Sequence, residues 1–182
     1  MEELGFIHGR FQVFHNDHLR YAMEAKKQCE VLLVGITSPN CSSLIYENVD
    51  PHRSLKEANP FTFFERYQMI EGALLEAGIN RMDFEILPYP IETPNVLVNF
   101  IPIQATSFFT IYDDWGKEKL NRLRSLGYKT IVLWDKNDKD MSSSQIRSLI
   151  VAKKEWKHFV PHSVYKYIVE NHLDERIRET CK

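Results

Sequence analysis

Five short apolar runs punctuate this chain, and a helical pattern follows almost every one. The runs are Leu4 to His8, Glu30 to Thr37, Asp83 to Pro88, Thr106 to Ile111 and Lys129 to Trp134, each predicted as a strand. The second, EVLLVGIT, is apolar without alternation, the mark of a strand covered on both sides. Helices are predicted over about 15–29, 62–77, 94–101, 115–126, 142–152 and 161–171. In the first, Leu19, Ala22, Met23 and Cys29 fall near one face. Thr62 and Glu65 have capping-box spacing, Phe63, Tyr67, Ile70, Leu74 and Ala77 form a stripe, and Gly78 reads as the stop. Gly127 closes the 115–126 helix, and Val160, Val164, Tyr167 and Ile168 share a face in the last. Parallel neighbours need right-handed crossovers, so this alternation predicts an α/β chain: a doubly wound parallel sheet of about five strands with helices on both faces.

Composition narrows the function classes. The 182 residues suit one domain, 1–182. With 23 Lys+Arg against 25 Asp+Glu the net charge is −2, and the pI is near 6.4. A nucleic-acid binder working through a basic field is not expected. No apolar stretch approaches the roughly 20 residues of a membrane span, and MEELGF lacks the basic start of a signal peptide. Cys29, Cys41 and Cys181 are far apart and form no CxxC, which fits a reducing cytoplasm. The polar stretch from Ser38 to Asn59 is longer than a casual loop and is expected to be a functional flap.

In such sheets, ligands bind beyond the carboxyl ends of the strands, where strand order reverses. The segment after the first strand is GRFQVFHNDH, residues 9–18. Gly9 permits a tight turn and close approach of a ligand. His15 and His18 stand three apart at a helix start, where free N–H groups and the positive dipole end favour phosphate. Zinc binding and two plain surface histidines are the competing readings, and no third metal ligand is evident. The second constellation is SSSQIR, residues 142–147: three hydroxyls open a helix and Arg147 follows one turn later. One of these serines reads equally well as a simple N-cap. Hydroxyls, helix N–H groups and an Arg converging on one place also suit a polyphosphate.

Together, GRFQVFHNDH and SSSQIR resemble the HxGH nucleotidyltransferase superfamily, and NPFTFFERYQMI (59–70) resembles its archaeal-type nicotinamide-nucleotide adenylyltransferases. The resemblance runs from about Gly5 to Ile177 and implies a Rossmann-like fold. It implies that Arg10, His15, His18 and Arg147 are catalytic. The nucleotide and its phosphates would be held by His8, Gly9, Arg10, Phe11, His15, His18, Ser142, Ser143, Ser144 and Arg147. It further implies in-line attack by an acceptor oxygen on the α-phosphorus, pyrophosphate release, and Mg²⁺ carried mainly by the triphosphate. An ionised acceptor needs no general base, so positioning and charge neutralisation supply most of the acceleration.

Four departures shape the expected substrates. Asp17 replaces the glycine between the histidines; it either reaches Mg²⁺ or points outward and favours the helix dipole. The adenylyltransferases place a stacking Trp after the third strand, where PIETPNVLVNF (90–100) offers Leu97 and Asn95. The loop after strand four reads IYDDWG, so Tyr112, Asp113, Asp114 and Trp115 are candidate readers of the base, with a helix cap as the alternative use of an Asp. Arg53, Lys56 and Arg66, with His52 nearby, form a candidate clamp for an acidic acceptor or a solvated basic surface. These departures resemble the phosphonate cytidylyltransferases. The expected function is a CTP-dependent cytidylyltransferase acting on a small phosphorylated or phosphonate acid. The alternatives are an ATP-dependent nicotinamide- or nicotinate-mononucleotide adenylyltransferase and a non-catalytic nucleotide sensor. Homo-oligomerisation stays open.

Overall fold

The computed structural model describes residues 1–39, 55–91, 93–112, 114–135 and 141–180. They fall into two compact units, the first comprising Met1–Gly9, Arg20–Ser38 and Asn80–Asp140, the second Arg10–Leu19, Pro39–Ile79 and Met141–Lys182.

The first unit holds the sheet. Its strands are β1 (Glu2–Gly9), β2 (Cys29–Thr37), β3 (Phe84–Tyr89), β4 (Thr106–Ile111) and β5 (Thr130–Asp135), all parallel, in the order β3-β2-β1-β4-β5. The fold is α/β and Rossmann-like, as the alternation predicts. Strand order reverses beside β1. Helices α1 (Asn16–Lys26) and α3 (Asp114–Ser125) make crossovers in opposite directions, so right-handedness puts them on opposite faces. On the α3 face, Phe6, Tyr89, Leu97, Ile101, Phe109, Leu120, Leu123 and Tyr128 form one buried cluster. The 94–101 helix is a 3-10 turn, Pro94–Asn99.

Pairing between β1 and β4 is short: Gly5 faces Thr106 and Phe6 faces Ser107, while β1 goes on pairing with β2 as far as Gly9 and Ile36. Beyond Phe6 the two strands part. The Tyr21 hydroxyl from α1 spans the gap, donating to the Phe108 carbonyl and taking the His8 N–H. Burial raises the Tyr21 pKa, which keeps the phenol neutral and able to donate.

The second unit carries α2 (Phe63–Glu76), α4 (Ser143–Val151), α5 (His162–Glu170) and α6 (Leu173–Thr180). Thr62 and Glu65 close the expected capping box, at 3.2 and 2.8 Å. Gly78 sits at φ +83° and Gly127 at φ +90°, the left-handed conformation that ends a helix at low cost. Two expectations need correction. The stripe of α2 is rotated: its buried face is Arg66, Met69, Ile70, Ala73 and Leu74, because a buried arginine takes core space, while Phe63, Tyr67 and Ala77 lie on its shoulder. The chain also does not end its helices at Asn171. Helix α6 follows, buries Leu173 and Ile177, and sets Arg176 in a two-pronged ion pair with Glu65 at 2.9 and 2.5 Å. Among the described residues, no helix is long and apolar enough to cross a membrane.

Burial pushes the Glu65 carboxyl up, but Arg176 and the Thr62 N–H outweigh it, and its pKa is lowered. A carboxyl depressed in the folded state stabilises the fold above its unfolded value of about 4.3, and that contribution is lost as pH falls through the folded value. Urea unfolding should therefore show Glu65→Gln less stable than the parent at pH 7, with the gap narrowing as pH falls through the folded value. Thr62→Ala should lose about 1 kcal/mol at pH 7, the scale of one helix cap.

Candidate active site

The loop after β1 lies in the second unit, and side chains hold its backbone. Gln12, 1% exposed, donates through Nε2 to the Phe61 carbonyl at 3.0 Å and accepts from the Phe61 N–H at 2.9 Å. Three successive tethers then cover loop carbonyls. Arg66 Nη1 donates to Arg10 O at 3.0 Å, Arg147 Nη1 donates to Gln12 O, and Ser143 Oγ donates to Val13 O at 2.9 Å. A buried carbonyl left without a donor costs about 1–3 kcal/mol, so these bonds fix the loop's path. Phe11, at φ +53° and 1% exposed, is held in a conformation that L residues rarely adopt.

The same segment places the histidines. His15 precedes α1 and its carbonyl accepts from the Leu19 N–H, so it is the N-cap residue. The His15 N–H donates to His18 Nδ1 at 3.4 Å. An imidazole thus fills the place that Glu or Gln takes in a capping box. With Nδ1 accepting, the neutral ring carries its proton on Nε2. The two rings stack at 3.7 Å, and Phe11 and Phe14 pack against His18 at 5.0 and 5.6 Å. His15 is buried and His18 half-buried.

The serine cluster meets this loop across more than 120 residues of chain. Ser142 is the N-cap of α4 and forms a capping box with Gln145, at 2.8 and 3.2 Å. Ser143 holds Val13, and Ser144 Oγ accepts from Arg147 Nη2 at 3.1 Å. Asp17 Oδ2 accepts from the Met141 N–H at 3.2 Å, so the carboxylate in the glycine position ties the two motifs together. A cavity of about 500 Å³ lies beside them, between Ser144, Arg147 and Val151 of α4 and Leu55, Glu57 and Ala58. The structure therefore brings Arg10, Phe11, His15, His18, Ser142, Ser143, Ser144 and Arg147 into one laced assembly, joined to β1 through Gly9. Arg66 stands under it, fully buried, as a strut for Arg10 rather than on an open clamp.

The remaining candidates lie in the first unit. His8 is 6% exposed; its ring stacks on Tyr89 at 4.8 Å and meets the edge of Phe109 at 5.2 Å. Burial holds its pKa well below the ordinary range, with Lys119 adding to the effect. Tyr112 accepts from Trp134 Nε1 at 2.9 Å, and Arg20 stands 5.7 Å over the Trp134 ring. Asp114 opens α3 in an exposed pair with Lys117 at 3.1 Å, the helix-end use of that residue. Leu97 is fully buried in the α3-face core. Arg53 and Asp113 lie outside the described residues, as do His52, most of the expected flap and the side chains of Lys56, Asn95 and Trp115.

Sequence reasoning missed Gln12, Tyr21, Tyr89 and Trp134. Gln12 carried a usable signal: an amide among Phe11, Val13 and Phe14 must find hydrogen-bond partners once buried. The three aromatics carried none, since a strand or helix aromatic is ordinarily core.

Comparison with known proteins agrees with this geometry. The family model for cytidylyltransferase-like proteins matches residues 6–149. The chain is 44% identical over 174 residues to the phosphonoformate cytidylyltransferase of Streptomyces viridochromogenes, covering 96% of this chain and 95% of that protein. It is 31% identical to the nicotinamide-nucleotide adenylyltransferase of Thermococcus sibiricus, covering 96% of this chain and 87% of that one. Among solved structures, a bifunctional NMN adenylyltransferase/ADP ribose pyrophosphatase from Francisella tularensis matches with a TM-score of 0.71 at 18% identity, covering 98% of this chain and 53% of that one; the likeness is one of fold. The match over most of the chain shows that this chain belongs to the cytidylyltransferase-like family.

Proposed function

We propose that this chain transfers CMP from CTP to a small phosphonate or phosphorylated acid and releases pyrophosphate, working as a single nucleotidyltransferase domain. The observation that carries the reaction type is the lacing of the histidine loop to the head of α4 through Ser143–Val13, Arg147–Gln12 and Asp17–Met141. This supports a site in which two imidazoles, the Arg147 guanidinium and two helix N-termini engage one triphosphate. The donor and acceptor rest on the 44% identity to a phosphonoformate cytidylyltransferase, against 28–31% for nicotinamide-nucleotide adenylyltransferases, and on the aliphatic Leu97.

In this reading an acceptor oxygen, already ionised, attacks the α-phosphorus in line. The new O–P bond forms as the bond to the β-phosphate oxygen breaks, and pyrophosphate leaves; magnesium would be carried by the triphosphate oxygens and would neutralise part of their charge. Arg10 and Arg147 hold phosphate oxygens. His18, its Nδ1 engaged by the His15 N–H, offers Nε2–H to the charge that develops on the leaving group. The cavity beside Ser144 and Arg147 supplies room at the phosphate end. Tyr112 and Trp134, at the carboxyl ends of β4 and β5, are the candidate base platform in the first unit.

Two measurements test this. Pyrophosphate release is expected from CTP with phosphonoformate across a grid of four triphosphates and several acceptors. Turnover only with ATP and nicotinamide or nicotinate mononucleotide would transfer the chain to the adenylyltransferases, and tight CTP binding without release for any acceptor would make it a sensor. Separately, His18→Ala should lower kcat by about 10²–10³, the scale of one lost charge-stabilising donor. Unchanged turnover would remove His18 from the mechanism.

A further inference from the structure

The first unit contains a polar pair that the phosphate assembly does not use. His8 is the next-to-last residue of β1, on the face covered by α3, where β1 has already parted from β4. Its ring packs between Tyr89 and Phe109, and among the described residues neither Nδ1 nor Nε2 has a hydrogen-bond partner; the buried Tyr89 hydroxyl has none there either. Buried polar groups are nearly always paired, and two adjacent exceptions at the carboxyl end of a sheet mark a place where a ligand supplies the partner.

The pairing is built into the backbone. Gly35 of β2 lies beside His8 in the register, and a Cβ there would stand 2.8 Å from Tyr89 Cβ. The missing side chain lets the Tyr89 ring cross β2 and reach His8. A neutral imidazole has one N–H and a phenol one O–H, so the pair can present two donors to one oxygen. The charged groups that bear on it are cationic: Lys119 on His8 and Arg122 on Tyr89. Arg122 itself pairs with Glu118 at 3.0 Å and caps the Ile91 carbonyl at 3.2 Å. Two adjacent buried donors near cationic side chains suit an anionic oxygen. Only Gly9 separates His8 from Arg10 in the chain.

We propose that His8 and Tyr89 form an acid-recognition subsite at the end of the sheet, donating to a carboxylate oxygen of a small phosphonocarboxylic acid acceptor. This rests on the cytidylyltransferase reading and assigns the acceptor's second acid group to the sheet end.

The test compares phosphonoformate with methylphosphonate, which lacks the carboxylate, as acceptors for the native protein, Tyr89→Phe and His8→Phe. Tyr89→Phe deletes one oxygen and keeps the ring over Gly35, so it is expected to fold. The native protein should prefer phosphonoformate at least tenfold in kcat/KM, each variant should raise its acceptor KM at least tenfold, and Tyr89→Phe should leave the KM for CTP within twofold. Preference retained in both variants, or a changed CTP KM with an unchanged acceptor KM in Tyr89→Phe, overturns the assignment. Binding gives an independent readout where no substrate pair turns over and the parent reading has failed: ring signals of ¹⁵N-labelled His8 should shift on titration with phosphonoformate and not with methylphosphonate. Unmoved signals would overturn the subsite.

Discussion

The site depends on a small set of backbone carbonyls. Arg10, Gln12 and Val13 expose their oxygens where no strand or helix can pair them, and the donors come from Arg66, Arg147 and Ser143. A guanidinium suits this task because its donors are fixed in a planar fork and it stays charged under all conditions. Arg147 uses that fork twice, on Gln12 and on the Ser144 hydroxyl. A lysine in its place would bring a point charge without the second direction. The loop therefore takes its shape in part from Arg147, the tether that the proposed reaction also uses for charge.

This double use links stability to function. His18 completes the N-terminal cap of α1 and stands against Phe11 and Phe14, so its ring is oriented before any nucleotide arrives. Ser142 caps α4 by taking the Gln145 N–H, and the proposed reading assigns an anion to the first N–H groups of that helix. Orientation supplied in advance by the fold lowers what a substrate must order on binding, and electrostatic catalysis by fixed dipoles relies on that economy.

Much of this was legible in the sequence because it is written locally. All five strands fall within a few residues of their apolar runs, and β4 keeps the bounds Thr106–Ile111. The Thr62–Glu65 box and the Gly78 stop are where spacing put them. The convergence of GRFQVFHNDH with SSSQIR was readable from their places in the alternation. What stayed hidden depends on distant partners. Helix α6 has only Leu173 and Ile177 as its apolar signal, and the ion pair of Arg176 spans 111 residues. Arg66 reads as a surface charge until the Arg10 carbonyl is known to lie beside it, and that one burial turns the apolar face of α2. Tyr21 reads as helix core, yet its hydroxyl bridges β1 and β4.

The distribution of these residues between the units suggests how one fold serves different substrates. The phosphate assembly is tied through main-chain carbonyls, so replacing any tethering side chain disturbs the loop itself. The sheet ends in the first unit differ in kind: His8, Tyr89, Tyr112 and Trp134 present side chains from strands whose pairing does not depend on their identity. Tyr89 requires Gly35, but a smaller residue at 89 would leave β2 and β3 in register. In the proposed reading, change at the strand ends alters which base and which acid are accepted while the carbonyl tethers stay intact. Leu97 fits that reading, because a buried aliphatic residue stands where the resemblance to the adenylyltransferases implies a stacking aromatic.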